Sequence, residues 1–169
     1  MSARKVTISA LFMAVTIILS ASFLSIPVPG GHFYINGIVI FLVGLLFPPL
    51  EAMVVVGIGS FLGDFFFYPT PMFVTLVTHS LQVATISVVV GPKETKANKN
   101  RVWLAMSLGA MIDIIGYGLG RAFLYANPQY AMLKLPFDVL AAVLSMLVVY
   151  CLYFRTSIVK DFQTYWNLR

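Results

Sequence analysis

Thr75, Thr78, His79 and Gln82 stand at i, i+3, i+4 and i+7 within an otherwise apolar stretch. A helix there carries all four hydrogen-bonding groups on one face. Further along, Asp113, Tyr117 and Arg121 recur at i, i+4 and i+8, and Lys134 and Asp138 lie four apart. Such groups suit the capture of a polar solute between helices, and His79 with Asp113 also has the makings of a proton relay. Catalysis finds little support. No nucleophile and base pair stands out, and no His-Glu-x-x-His spacing occurs. One histidine in a span does not make a zinc site, and the single cysteine, Cys151, gives neither a disulfide framework nor a metal cluster. The run Gly57-Ile58-Gly59-Ser60-Phe61-Leu62-Gly63-Asp64 lacks the Lys-Ser or Lys-Thr of a phosphate loop and lies in apolar sequence. Close helix packing is the simpler reading of those glycines. The residues point to a binding protein and not to an enzyme.

The elements that position these groups are membrane spans. Of 169 residues, 60% are hydrophobic and 10% charged, and mean hydropathy is +0.93. A soluble domain of this size has no interior large enough for that much apolar surface. No long polar linker divides the chain, so one domain covering residues 1–169 is expected. Spans need about 20 apolar residues. Six segments qualify or approach this: Val6 to Ile26, Ile35 to Phe47, Ala52 to Phe67, Met72 to Val90, Val102 to Tyr125 and Leu135 to Phe154. The second and third are short and separated only by Pro48-Pro49-Leu50-Glu51, so they are either two tightly turned spans or one re-entrant hairpin. The opening Arg4-Lys5, the following apolar run and Ser20-Ala21-Ser22 have the outline of a cleavable signal, but the stretch serves naturally as a first span.

The net charge of +5 is explained by loop asymmetry, with no need of a nucleic-acid partner. With the N-terminus inside, cytoplasmic stretches hold Arg4, Lys5, Lys93, Lys96, Lys99, Arg101, Arg155, Lys160 and Arg169, which is nine of eleven basic residues. Only Arg121 and Lys134 fall outside. Both termini are then cytoplasmic, the loop Gly91 to Asn100 is an inner connection, and the turn-rich segments 27–34, 68–71 and 126–130 cap the outer side. Entering from Pro71, His79 lies about 12 Å deep at 1.5 Å per residue. Lys134 is expected to reach toward the interface. Asp113, near mid-bilayer, needs a partner or a proton, and its nearest cation in sequence, Arg121, is two turns away.

On the first helix, Ala3, Thr7, Ala10, Ala14, Ala21 and Ser25 fall in an arc of roughly 60°. Small residues admit a second helix at close range. That helix belongs either to this bundle or to a separate membrane subunit.

Several stretches resemble the S components of energy-coupling factor (ECF) vitamin transporters. They are PVPGG at 27–31, YINGIVIFLVGLLFPPLEA from Tyr34, GIGSFLGDFFFYPTPMFVTLVTHSLQ from Gly57, and an AxxxA element at Ala10-Leu11-Phe12-Met13-Ala14. Within that family the likeness is greatest to the branch associated with hydroxymethylpyrimidine and pyridoxine-like vitamins. Departures fall at Ile38, where similar sequences carry an acidic residue, at His79, where they carry Lys, and at Leu81 and Gln82. The resemblance implies an all-α, six-span protein of a bacterial cell membrane that binds its vitamin near the outer surface. It implies a shared coupling subunit of the EcfT type, docked on Ala10 and Ala14, and two ATP-binding-cassette ATPases that use ATP and Mg²⁺. This chain would bind no cofactor itself. The expected binding wall comprises His32, Tyr34 and Asn36 of the first outer loop, Phe67 and Tyr68, and His79, Gln82, Asp113, Tyr117, Arg121 and Asp138. His79 and Gln82 would hydrogen-bond ring substituents, Phe67 and Tyr117 would stack, and Arg121 or Asp138 would fix a polar group. Two other readings stay open: a stand-alone carrier relaying protons through Asp113 and His79, and a membrane scaffold with no ligand.

Overall fold

The structure, a computed structural model, describes residues 2–21, 25–91 and 96–167. Ser22, Lys93 and Arg169, used above for the cleavage region and the charge asymmetry, lie outside the described residues, as do residues 22–24 of the first predicted span. The elements in order are α1 (Ala3–Ser20), a hairpin of β1 (Ile26–Val28) and β2 (Gly31–Phe33), α2 (Gly37–Leu46), α3 (Pro49–Phe67), α4 (Met72–Val90), α5 (Lys99–Tyr125), α6 (Pro128–Arg155) and α7 (Ile158–Asn167). Five of these, α1, α3, α4, α5 and α6, are long and apolar enough to cross a membrane. Large apolar side chains such as Leu11, Phe66, Phe73, Phe123, Leu124 and Met132 cover the outside of the bundle. An apolar surface that extensive is at home in lipid, not water.

Against the predicted segments, α4 has the expected bounds, whereas α3, α5 and α6 each begin earlier than hydropathy alone suggested. The reason lies at their ends. Asn98 and Asn127 accept backbone N–H bonds from Arg101 at 2.8 Å and Tyr130 at 2.9 Å. These side-chain caps satisfy orphan donors and start each helix in polar sequence. Pro128 follows its cap at the first helical position. Pro49 does the same for α3, which continues without a break through a π-helical stretch, Met53–Ile58.

The second predicted segment yields α2, a helix of ten residues. At 1.5 Å per residue it is about 15 Å long, half of a bilayer core of about 30 Å. Its residues Val39 to Leu46 are all buried. A helix apolar on every side belongs in the middle of a bundle, and α2 packs against α4 and α6 with contacts to α1.

The glycine run packs helices, as its composition suggested. A Cβ at Gly63 would stand 2.6 Å from the Ser20 Cβ, and one at Gly59 would stand 3.2 Å from Thr16 Cβ. Thr16 and Ser20 are thus the α1 residues buried on α3, while Ala3, Thr7, Ala10 and Ala14 face outward and exposed. The small-residue stripe divides at its last turn, for Ala21 is fully buried.

Two features were not anticipated. Residues 26–33 form an antiparallel hairpin, turning at Gly30 with φ +80° and Gly31 with φ +139°. The tail forms α7, whose Val159, Phe162 and Trp166 are buried against the bundle. Phe47 sits among Phe12, Phe162 and Trp166 with ring centroids 4.8–5.2 Å away. Together these rings close the end of the bundle where α1 begins and α6 ends.

Candidate functional site

The opposite end holds a cavity of about 420 Å³ beneath the hairpin and the loops after α3 and α5. Of the predicted wall, His32, Tyr34, Asn36, Tyr68, His79, Gln82, Asp113, Tyr117, Arg121 and Asp138 line it. Phe67 does not. It is 44% exposed on the last turn of α3, and the chain leaves the helix at Tyr68, with φ −154° and ψ 76°, so that Tyr68 and not Phe67 joins the lining.

The deep wall is built by α4 and α5. Thr75, Thr78, His79 and Gln82 are all buried, as one helical face requires. His79 is oriented from both sides. Its Nδ1 lies 2.9 Å from Gln82 Oε1 and 3.4 Å from Asp113 Oδ1, and its Nε2 lies 3.1 Å from the Tyr117 hydroxyl. Asp113 Oδ1 makes no hydrogen bond of good geometry among the described residues and faces the His79 imidazole. Tyr117 donates to Thr75 Oγ1 at 2.6 Å, and Thr75 donates to Asp64 Oδ2 at 2.5 Å. Asp64 and Thr75 thereby belong to the site, although in the sequence Asp64 stood out only as the last residue of the glycine run.

The mouth carries the second polar cluster. Arg121 Nη1 meets Asp138 Oδ2 at 2.9 Å, and Lys134 Nζ meets Asp138 Oδ1 at 2.6 Å. One expectation is corrected here. Lys134 does not reach outward. It is 4% exposed, because Gly30 lies over its backbone and Asp138 takes its ammonium. Arg121 pairs with Asp138 on the neighbouring helix and not with Asp113, two turns away on its own. It opens a π-helical last turn, Arg121–Tyr125, and both end residues of that turn line the cavity. Departures from α geometry recur at functional sites.

The rim is aromatic. The rings of Tyr34 and Tyr68 lie 6.1 Å from that of His32, whose Nδ1 is 2.8 Å from Ser25 Oγ. Burial, then the nearby Asp64 carboxylate, pushes the Tyr34 phenol up to about 12, so it is a neutral group at ordinary pH. Asn36 donates to Ser20 Oγ at 3.2 Å and ties the loop to α1. Between rim and deep wall the lining turns apolar, with Ile40 and Phe41 from α2 and Ala141 and Ala142 from α6. The α6 contribution was legible by spacing: Asp138, Ala141, Ala142 and Ser145 stand at i, i+3, i+4 and i+7, and all line the cavity. Among the described residues no group of three or more His, Cys, Asp or Glu side chains could hold a metal ion. The arrangement offers an apolar slot with donors and acceptors at each end, the usual build of a small-molecule site.

The sequence over residues 1–159 matches the family described as "ECF-type riboflavin transporter, S component". It is also 33% identical over 127 residues to a Pyrococcus woesei protein described as "Uncharacterized protein in gap 3'region", covering 73% of this chain and 82% of that one. The pocket, the lipid-facing bundle and the family match agree: the chain belongs to the ECF-type riboflavin transporter S component family, the substrate-binding subunits that work with an energy-coupling module.

Proposed function

We propose that this subunit captures a water-soluble vitamin built on an aromatic nitrogen heterocycle, of the hydroxymethylpyrimidine or pyridoxine type, from outside the cell. One observation carries the reading. Gln82, His79 and Asp113 converge on the floor of a cavity whose walls, Ile40, Phe41 and Ala142, are apolar. The slot takes the ring faces, and the floor takes the ring edge. Gln82 Oε1 accepts from His79, which leaves the amide N–H groups for a ring nitrogen or hydroxyl. Asp113 Oδ1 takes an N–H or O–H. Arg121 and Asp138 at the mouth hold a hydroxymethyl group or other polar substituent.

The family's description and the cavity volume favour a second reading, riboflavin. A volume of about 420 Å³ falls in the range that encloses drug-sized ligands and exceeds the need of a single ring. Calorimetry on the purified protein with hydroxymethylpyrimidine, pyridoxine, riboflavin, thiamin and folate separates these cases. The tightest ligand names the branch, and no binding below about 1 μM (−8.2 kcal/mol) removes the vitamin reading altogether.

In this reading α2 and its flanking residues complete a sixth crossing. Both termini and the basic residues Arg4, Lys5, Lys96, Lys99, Arg101, Arg155 and Lys160 face the cytoplasm of a bacterial cell. The exposed Ala10 and Ala14 receive an EcfT-type coupling subunit, and two ABC ATPases consume ATP and Mg²⁺ on its behalf. A stand-alone carrier keeps one supporting contact, His79 with Asp113. It predicts proton-driven uptake by this chain alone in liposomes, which the S-component reading does not.

A further inference from the structure

The bonds between Asp64 and His79 contain more order than ligand contact requires. Four groups from three helices stand in line: Asp64 Oδ2 to Thr75 Oγ1 at 2.5 Å, Thr75 Oγ1 to Tyr117 OH at 2.6 Å, and Tyr117 OH to His79 Nε2 at 3.1 Å. Asp64, Thr75 and His79 are buried. Three links need three protons, yet the two hydroxyls between the ends bring only two, since each donates once. One end must supply the third. Either His79 Nε2–H donates inward and Asp64 is a carboxylate, or Asp64 is a carboxylic acid and Nε2 is a bare lone pair. His79 Nδ1 faces only acceptors, Gln82 Oε1 and Asp113 Oδ1, and keeps its proton in both cases.

We propose that Asp64 and His79 share a single proton through Thr75 and Tyr117, making Asp64 the positioning residue that sets whether the floor of the site meets its ligand as a cation or as a neutral ring. The step balances internally. As Nε2 gives its proton to the Tyr117 oxygen, Tyr117 gives its own to Thr75, and Thr75 gives its own to Asp64 Oδ2. All three bonds reverse direction, and no proton is gained or lost. The surroundings leave the exchange to these groups. From α5, Asp113 and Tyr117 face His79, and from α3, Asp64 does. Neither α2 nor the π-helical stretch of α3 carries a titratable residue. From the rim the Tyr34 phenol lies near Asp64, with Tyr68 and Tyr125 near Tyr34, while Arg121 and Lys134 are engaged by Asp138.

Only the role toward ligand rests on the proposed function; the shared proton does not, so it is tested in the ligand-free protein. The chain has two histidines, and ¹⁵N-imidazole labelling of wild type beside His32→Gln assigns His79 by difference. Thr75→Val keeps the shape and cuts the line, leaving Tyr117 to donate to Nε2. The Nε2 resonance is then expected to move to the bare-nitrogen position at fixed pH. Thr75→Ser is expected to return it, and Asp64→Asn, which cannot hold the carboxylate end, to displace it without touching the hydroxyls. Retained helicity and a cooperative thermal transition show that each variant is folded. An Nε2 resonance that stays in place through Thr75→Val and Asp64→Asn overturns the proposal, whatever calorimetry says about vitamins.

Discussion

The two ends of this bundle are made by the same helices and could hardly differ more. At the end bearing the termini, Phe12, Phe47, Phe162 and Trp166 fill the space between α1, α2 and α7, and Lys5 lies 4.9 Å over the Trp166 ring. At the other end, α2, α4, α5 and α6 surround a cavity with two acids and a histidine on the deep side and two cations sharing a carboxylate at its mouth. One end excludes water by ring packing, while the other keeps it out of lipid by pairing charge. The contrast teaches that α2 is the divider. Its Ile40 and Phe41 wall the cavity and its last turn runs into Phe47, so the ten-residue helix stands between chamber and plug. A chain closed at one end and hollow at the other suits the substrate-binding subunits of its family.

Breaking the plug is expected to have the largest effect. Phe47→Ala opens a void among three rings and should cost about 3–5 kcal/mol, seen as a lower thermal midpoint in detergent with ligand affinity preserved in the folded fraction. Loss of affinity equal to the loss of stability would mean that the two ends are not separable. Next comes the mouth. Asp138→Asn leaves Arg121 and Lys134 buried together with their carboxylate gone, and stability should fall by roughly 3 kcal/mol, the lower end of the cost of an orphaned buried charge. The added substitution Lys134→Met should recover part of it.

On the floor, Gln82→Leu removes one hydrogen-bonding side chain and should weaken the true ligand about tenfold, or ~1.4 kcal/mol, while the melting curve barely moves. Ala10→Trp with Ala14→Trp sharpens the contrast in another way, since these residues are exposed on α1 and line no part of the cavity. Vitamin affinity should stay unchanged while co-purification with a coupling subunit is lost, and an intact complex would remove the docking role. The smallest effect concerns Tyr34. Its phenol is raised from 10.0 to about 12 by burial, so folding favours the neutral form. The stability this gives is present below pH 10 and fades as pH climbs toward 12. Tyr34→Phe should flatten part of that alkaline fall in a pH series of thermal midpoints.

Much of this was legible in the chain because membrane helices obey two simple periods of hydropathy and polarity. The Met72–Val90 helix and its face of Thr75, Thr78, His79 and Gln82 needed only helical spacing, and all four are buried. What escaped depends on the third dimension. Arg121 and Asp138 are seventeen residues apart on different helices, and their pairing follows from how α5 and α6 meet and from the π turn at Arg121. Sequence spacing ranks partners within one helix, where the carboxylate nearest Arg121 is Asp113, two turns away. Asp64 closes the glycine run, but nothing local announces that Thr75, on the next helix, will donate to it. Phe67, expected in the wall beside Tyr68, stays outside the lining because the helix ends with it and the chain turns away at Tyr68. For α7 a signal was present: Val159, Phe162 and Trp166 repeat at i, i+3 and i+7, yet Lys160, Asp161 and Gln163 between them gave the stretch the look of a solvated tail.

Gly30 has a consequence of its own. With φ +80°, it brings the hairpin down until a methyl group there would stand 2.8 Å from Lys134 Cβ and 2.9 Å from the Tyr130 carbonyl oxygen. On that side the hairpin rests on α6 with room for no more than a hydrogen atom. Any larger residue would prop the flap off its sill and open a gap beside the very lysine it conceals.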